Sequence, residues 1–322
     1  MRKTKLLATV VTTVATVVCG SFGAQAAWPD RPVTIIVPAG AGGGTDATGR
    51  LLAAQLKDIF GQNFNVVNQG QGGGVIGITS IVQAAPDGYT IGVLYNYAHY
   101  KELGQADFEV SSFTPIAQYN FDPAGFQVKA DSPFKNITQA LDAIKADPAK
   151  YNIACGGGCG GSWPLAVATL MYDWGVDLGK VNMIPGKGAA AAIQELAAGG
   201  VDVVPCSIPE AGPLIQAGKV LSLAVFGDKR LDAFPDIPTL QEETGKALSL
   251  GAWRGVVGPA GLPQDIADKL GAAVKKIYDS KQFQDAMTSR GFGLKWRDSK
   301  DFKAFMVNET TNVKVVIKAL GL

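Results

Sequence analysis

Apolar and polar positions along this chain follow two rhythms, a period of two over short runs and a period near 3.6 over longer ones. Val33, Ile35 and Val37 stand with Thr34 and Ile36 between them, which predicts a β-strand that Pro38 ends. Leu52, Leu56, Ile59 and Phe60 share one helical face, predicting a helix to about Phe60 that Thr45 or Asp46 can cap. Phe64 to Val67 reads as a strand, Ile76 to Ala85 as a helix ending at Pro86-Asp87-Gly88, and Tyr89 to Tyr95 as a strand. Farther on, strands are predicted at Tyr151 to Ala154, Val181 to Ile184, Val201 to Val204 and Val220 to Phe226. Helices fall between them, at Pro164 to Tyr172, Ala189 to Ala198 and Glu210 to Ala217. Alternation of this kind is the signature of an α/β fold with parallel sheets.

Two extended stretches interrupt the alternation. Thr114 to Val128 carries Pro115 and Pro123, and Thr239 to Val257 returns through ALSLGAWRGVVGP. A chain that leaves one α/β unit and later comes back to it forms two lobes joined by two crossover strands, with a cleft between. The expected division is residues 27–123 with 250–322 as lobe one and 124–249 as lobe two. The segment from Asp265 onward is expected as helices packed on lobe one.

Arg2, Lys3 and Lys5, the apolar run Leu6 to Val18 and the Ala24-Gln25-Ala26 pattern predict a signal peptide over 1–26 and hence a periplasmic protein. Removing it takes three positive charges and no negative ones, so the net charge falls from +1 to −2. A nearly neutral chain with 18% charged residues is no nucleic-acid binder and no polybasic membrane protein.

The candidate chemistry lies where strands run into glycine. The first strand opens into AGAGGGTD, so Gly42, Gly43, Gly44, Thr45 and Asp46 lead from a strand to a helix N-terminus, the geometry of a main-chain anion pocket. Later strands open into CGGGCGGS, IPGKG and PCSIPE, at the carboxyl ends where open α/β sheets take ligands. His99, the one histidine, follows a strand among Tyr95, Tyr97 and Tyr100 and can line a pocket or simply pack. Trp163 and Trp253 stand beside a glycine loop and a crossing, where either core or pocket suits them. Cys155, Cys159 and Cys206 allow a Cys155–Cys206 or a Cys155–Cys159 disulfide, or buried thiols; their spacing does not favour a metal site. The chain has no G-x-S-x-G elbow, and its first glycine loop lacks both G-x-G-x-x-G and G-K-[ST], so neither hydrolase nor nucleotide chemistry is supported, and no cofactor is expected.

Six segments in order carry a family resemblance: RPVTIIVPAGAGGGTD, Asn68 with the glycines after it, APDGYT, FTPIA, PDIPTL and GPAGLP. Together they resemble the Bug/TctC family of periplasmic solute receptors of tripartite tricarboxylate transporters, over essentially the whole mature chain. The resemblance implies a two-lobed periplasmic binding protein fold of the type II kind, each lobe a mixed or parallel sheet flanked by helices. It implies a small carboxylate held in the interlobe cleft (a di- or tricarboxylate, an amino acid or an aromatic acid), membrane permease components as partners, and a monomer without catalysis. A ligand-presenting receptor for a signalling partner is the alternative. The site it implies is Gly42 to Asp46 in lobe one. In lobe two it implies Gly160, Gly161 and Ser162 with Trp163, then Gly186, Lys187 and Gly188, and Ser207. Three departures stand out. Ser162-Trp163-Pro164-Leu165 has no histidine where the family usually places one; Gly70 replaces a proline after Asn68; and Arg254 follows Trp253 where an uncharged residue is commoner. Arg254 either clamps a second carboxylate, at the end of the ligand opposite the glycine loop, or faces solvent on the crossing strand.

Overall fold

In the computed structural model, which describes residues 28–155, 159–186, 188–247 and 250–319, strand and helix alternate from the first element. The order opens with β1 (Val33–Val37), α1 (Gly44–Phe60), β2 (Phe64–Asn68), α2 (Val75–Val82), β3 (Thr90–Leu94), α3 (His99–Glu102) and β4 (Phe113–Lys129). It continues with α4 (Ile137–Ala146), β5 (Asn152–Ala154), α5 (Ser162–Asp173), β6 (Asn182–Ile184), α6 (Ala189–Ala198), β7 (Val203–Ser207), α7 (Ile208–Gln216) and β8 (Val220–Val225). The chain closes with α8 (Leu240–Thr244), β9 (Gly251–Pro259), α9 (Gln264–Tyr278), α10 (Lys281–Thr288), β10 (Leu294–Arg297) and α11 (Ser299–Ala319).

Strand β4, 17 residues long, belongs to two sheets. From Phe113 to Pro123 it pairs antiparallel with β9, and from Ala124 to Val128 antiparallel with β7, with β8 on its other side. The first sheet runs β2-β1-β3-β9-β4-β10, with β1 parallel to β2 and β3. The second runs β8-β4-β7-β5-β6, with β5 parallel to β6 and β7. The fold is therefore α/β and two-lobed, each lobe a mixed sheet between helices. The return crossing is knitted to β4 at the same place, where the Ala124 N–H donates to Leu250 O.

Burial explains why the sheet faces are so apolar. Val33, Ile35 and Val37 of β1 pack under α1 and α9, while Ile36 points the other way onto α2 and α11. A strand covered on both faces needs apolar residues at nearly every position. On α9, Ile266, Leu270, Val274 and Ile277 form one buried face against this core, each contributing about 1.5 to 3 kcal/mol by leaving water. Lobe two repeats the plan with Phe126, Ile153, Leu170 and Phe226 on one side of its sheet and Ile193, Val204 and Ala211 on the other.

Two expectations change. The C-terminal segment is not helical throughout, because β10 pairs antiparallel with β4, Leu294 opposite Asn120 and Arg297 opposite Gln118. Its four residues, Leu-Lys-Trp-Arg, are half-buried or exposed and carry too short an alternation to register. Helix α1 begins at Gly44 with Gly43 as its cap, so neither Thr45 nor Asp46 caps it.

Candidate functional site

Parallel pairing puts the carboxyl ends of β1 and β3 on one sheet edge, and those of β5, β6 and β7 on one edge of the other sheet. The loops leaving these ends meet between the lobes. The loop after β1 turns through Gly42, whose φ of +83° is open to glycine and costly for other residues. It then runs into α1, whose first N–H groups have no partner within the helix.

Asp46 holds this loop from behind. Its carboxylate accepts from the Gly42 N–H at 2.9 Å, from Asn68 Nδ2 at 2.9 Å and from Arg50 Nε at 2.9 Å. This is a reach backward from the first helical turn, as in a capping box, shifted one residue past the cap. Burial would raise the Asp46 carboxyl, but the Arg50, Gly42 and Asn68 contacts hold it below the usual carboxylate range. Asn68 also donates to Ala39 O at 3.2 Å, and Tyr95 Oη donates to Pro38 O at 2.8 Å, stitching the loop to its neighbours. Gly70 belongs to the same seam. A Cβ there would lie 2.8 Å from the backbone of Ala39 and Gly40, so the two loops approach this closely because position 70 has no side chain.

Arg254 is neither solvent-facing nor at the far end of the cleft. It is 3% exposed and pairs with Asp122, itself fully buried. Its Nη1 also donates to Asn120 Oδ1 at 2.5 Å, and its Nε donates to Thr45 Oγ1 at 3.1 Å. A Cβ on Gly44 would come within 2.5 Å of Nη2, so the guanidinium lies directly against the start of α1. Burial disfavours the charge, but the Asp122 and Glu210 carboxylates more than offset it and raise the Arg254 pKa.

From lobe two, Ser207 is buried at the start of α7 and its Oγ donates to Glu210 Oε2 at 3.2 Å. Burial pushes the Glu210 carboxyl up while the Arg254 charge opposes it, so the two lobes share one electrostatic field here. Helix α5 starts at Ser162 behind Gly161, which supplies no side-chain cap. The cap comes from lobe one: with its amide nitrogen turned to Glu309, Asn96 accepts from Ser162 N at 3.0 Å and Ser162 Oγ at 3.1 Å. Gly160 presses on His99, where an added Cβ would sit 2.9 Å from Cδ2. His99 is buried, stacks on Tyr100 at 3.9 Å, and is pushed down to about 4 by desolvation.

The structure thus gathers Gly42 to Asp46 with Arg254, and brings Gly160 and Ser162 against lobe one. Trp163 is half-buried and packs against both lobe-two cores, and Trp253 lies in the lobe-one core with its indole N–H on Glu309 at 2.6 Å. Gly186 is exposed and Gly188 starts α6; Lys187 lies outside the described residues. Cys155 and Cys159 form the disulfide, and Cys206 is a free buried thiol. No cluster of three or more metal-ligating residues occurs among the described residues.

Four residues of this region escaped the sequence reading: Asn96, Asn120, Asp122 and Glu309. The signal for two of them was present, because Gln118, Asn120 and Asp122 alternate through a crossover strand that is otherwise apolar. All three are fully buried.

Comparison with known proteins accords with this geometry. The family model of the tripartite tricarboxylate transporter family receptor, TctC, matches residues 48–322. A protein encoded in the tcbD–tcbE intergenic region of Pseudomonas sp. strain P51 is 32% identical over 82% of this chain and 79% of its own. MatC of Rhodopseudomonas palustris, solved with bound malate, superposes with a TM-score of 0.82 at 28% identity, over 90% of this chain and 100% of its own. A second R. palustris protein, solved with adipate, gives 0.83 at 25% identity, over 91% and 98%.

Proposed function

Because the chain belongs to the tripartite tricarboxylate transporter receptor family, a family of periplasmic binding proteins and not of enzymes, we propose that it captures a small carboxylate between its lobes. In this reading it works in the periplasm as a monomer, after loss of residues 1–26, and hands its ligand to the membrane components of such a transporter. Residues 27–123 with 250–322 act as one lobe and 124–249 as the other. The ligand is a di- or tricarboxylate, an amino acid or an aromatic acid.

One observation supports the reading: a glycine loop, tethered by Asp46, leads into the unpaired N–H groups at the start of a 17-residue helix. Such an N-terminus favours an anion by its N–H groups and by the helix dipole together. The malate and adipate held by the two similar R. palustris proteins point to the same ligand class. A thermal-shift screen over organic acids should find ligands that raise the midpoint, since binding to the folded state alone stabilises by mass action. For the best of them, calorimetry should show binding of the acid and none of the corresponding amide. Equal affinity for the two would refute the reading.

Asp46→Ala releases the Gly42 N–H, Asn68 and Arg50 at once. Stability is expected to fall by about 1 kcal/mol, the usual cost of an N-terminal tether, with weaker carboxylate affinity as the loop loses its set position. Unchanged affinity at reduced stability would make Asp46 a structural tether alone.

A further inference from the structure

A guanidinium has five N–H donors in a fixed fork, and Arg254 places three of them on partners that cannot move far. Nε bonds Thr45, and Nη1 bonds both Asn120 and Asp122. Those partners are themselves fixed. Asp122 Oδ1 accepts from the Gly293 N–H at 2.8 Å and from Asn120 Nδ2 at 2.8 Å, and Asn120 Nδ2 also donates to Gly293 O at 2.7 Å. The fork therefore cannot rotate, and the direction of Nη2 is set. Among the described residues Nη2 has no hydrogen-bond acceptor, and it lies against Gly44, the first residue of α1.

The two donors of Nη2 are unused and the atom is not sealed from solvent, so this rigidly held cation can take an acceptor from outside. Glycine at position 44 is what lets the guanidinium come this close to α1, since any side chain there would collide with Nη2. Thr45 points to the same place. Its Oγ1 already accepts from Arg254 Nε, so its hydroxyl proton is free to be donated elsewhere.

We propose that Arg254 is a direct, charged ligand contact at the glycine loop: Nη2 and the Thr45 hydroxyl converge with the N–H groups of α1 on one and the same carboxylate. The inference rests on the carboxylate reading above and deepens it. It makes this site select for a fully ionised anion at the loop end and leaves the far end of the ligand free of any demand for a second charge.

The test uses the double variant Asp122→Asn with Arg254→Gln, which removes both members of the buried ion pair and so leaves no unpaired charge. The new amides can still bond each other, and circular dichroism and the denaturation midpoint verify the fold. Calorimetry with malate, adipate, glutamate and benzoate is run on the parent and the double variant. For whichever acid binds the parent, the expected result is a loss of roughly 30-fold or more in the variant, in the range for losing a charged hydrogen-bonding partner. The loss should reach every acid that binds the parent while the denaturation midpoint of the double variant stays near the parent's, whereas a purely structural role would lower affinity and midpoint together. Equal affinity of parent and double variant for the acid, or a loss matched by a fallen midpoint, would overturn the assignment of Arg254 and leave the carboxylate reading standing. A parent that binds none of the four acids would overturn both. Thr45→Val, which removes the hydroxyl donor and the acceptor of Arg254 Nε but keeps both members of the ion pair, is expected to weaken the acid as well.

Discussion

Arg254→Gln by itself is expected to destabilise the protein by about 3 to 5 kcal/mol, read from its denaturant midpoint, because it leaves Asp122 charged, buried and without its cation. Both partners are almost fully enclosed, the Asp122 side chain 1% and the Arg254 side chain 4% exposed, so water cannot replace the lost contact. The pair sits where β4 changes partners, two residues before Ala124, and Asp122 also anchors the Gly293 N–H. The damage should therefore reach both lobes and the β10 edge together. Asp122→Asn added to Arg254→Gln should recover most of the loss, since no uncompensated charge then stays inside. Recovery of stability without recovery of carboxylate affinity is the combination that separates holding the fold from holding the ligand. A single Arg254→Gln variant as stable as the parent would mean that the ion pair contributes nothing at this crossing.

The same residue shows why part of the site was legible in the sequence and part was not. The strand, glycine loop and helix from Val33 to Phe60 follow from local rules, a period of two, small residues and a period of 3.6, and the observed elements sit there. Arg254 could be singled out as a departure, but its partners could not. Asn120 and Asp122 come from β4 and Gly44 and Thr45 from α1, and Arg254 reaches the first two through the long-range pairing between β4 and β9. An alternating polar run such as Gln118, Asn120 and Asp122 ordinarily marks a wet strand face. Here each polar side chain is matched inside, Asn120 and Asp122 by Arg254 and Gln118 by Arg297 at 2.5 Å. Asn96 and Glu309 stand 213 residues apart and carry no local pattern at all. They meet because α11 returns across lobe one to the end of β3. The disulfide is intermediate: both pairings were open on spacing, and it joins Cys155 to Cys159, whose Cα atoms lie 4.9 Å apart.

Glu309 should give the protein an inverted stretch of pH dependence. Its carboxylate accepts from Trp253 Nε1 at 2.6 Å and from the Asn96 amide at 3.2 Å, but Oε2 is buried without a partner. The other titratable group facing it is Tyr97, whose phenol is raised first by burial and further by the Glu309 and Glu109 charges. Among the described residues no lysine or arginine pairs with Glu309. Burial accordingly pushes its carboxyl up to about 7, the Trp253 indole pulling only partly the other way. An unfolded glutamate titrates near 4.3, so between the two values the folded protein binds the extra proton and stability falls as the pH rises. Below the window the penalty is absent; above it the charged carboxylate costs at most about 4 kcal/mol by the usual conversion of a pKa shift. The depressed carboxyls, Asp46 and Glu242, contribute the opposite slope at lower pH, so the measurement must be a difference. Glu309→Gln keeps an acceptor for Trp253 and removes the charge. It should stabilise the protein at pH 8, and that advantage should shrink steadily and vanish by about pH 4. Parallel stability curves for parent and variant across that range would show that Glu309 is solvated in the folded protein and carries no such penalty.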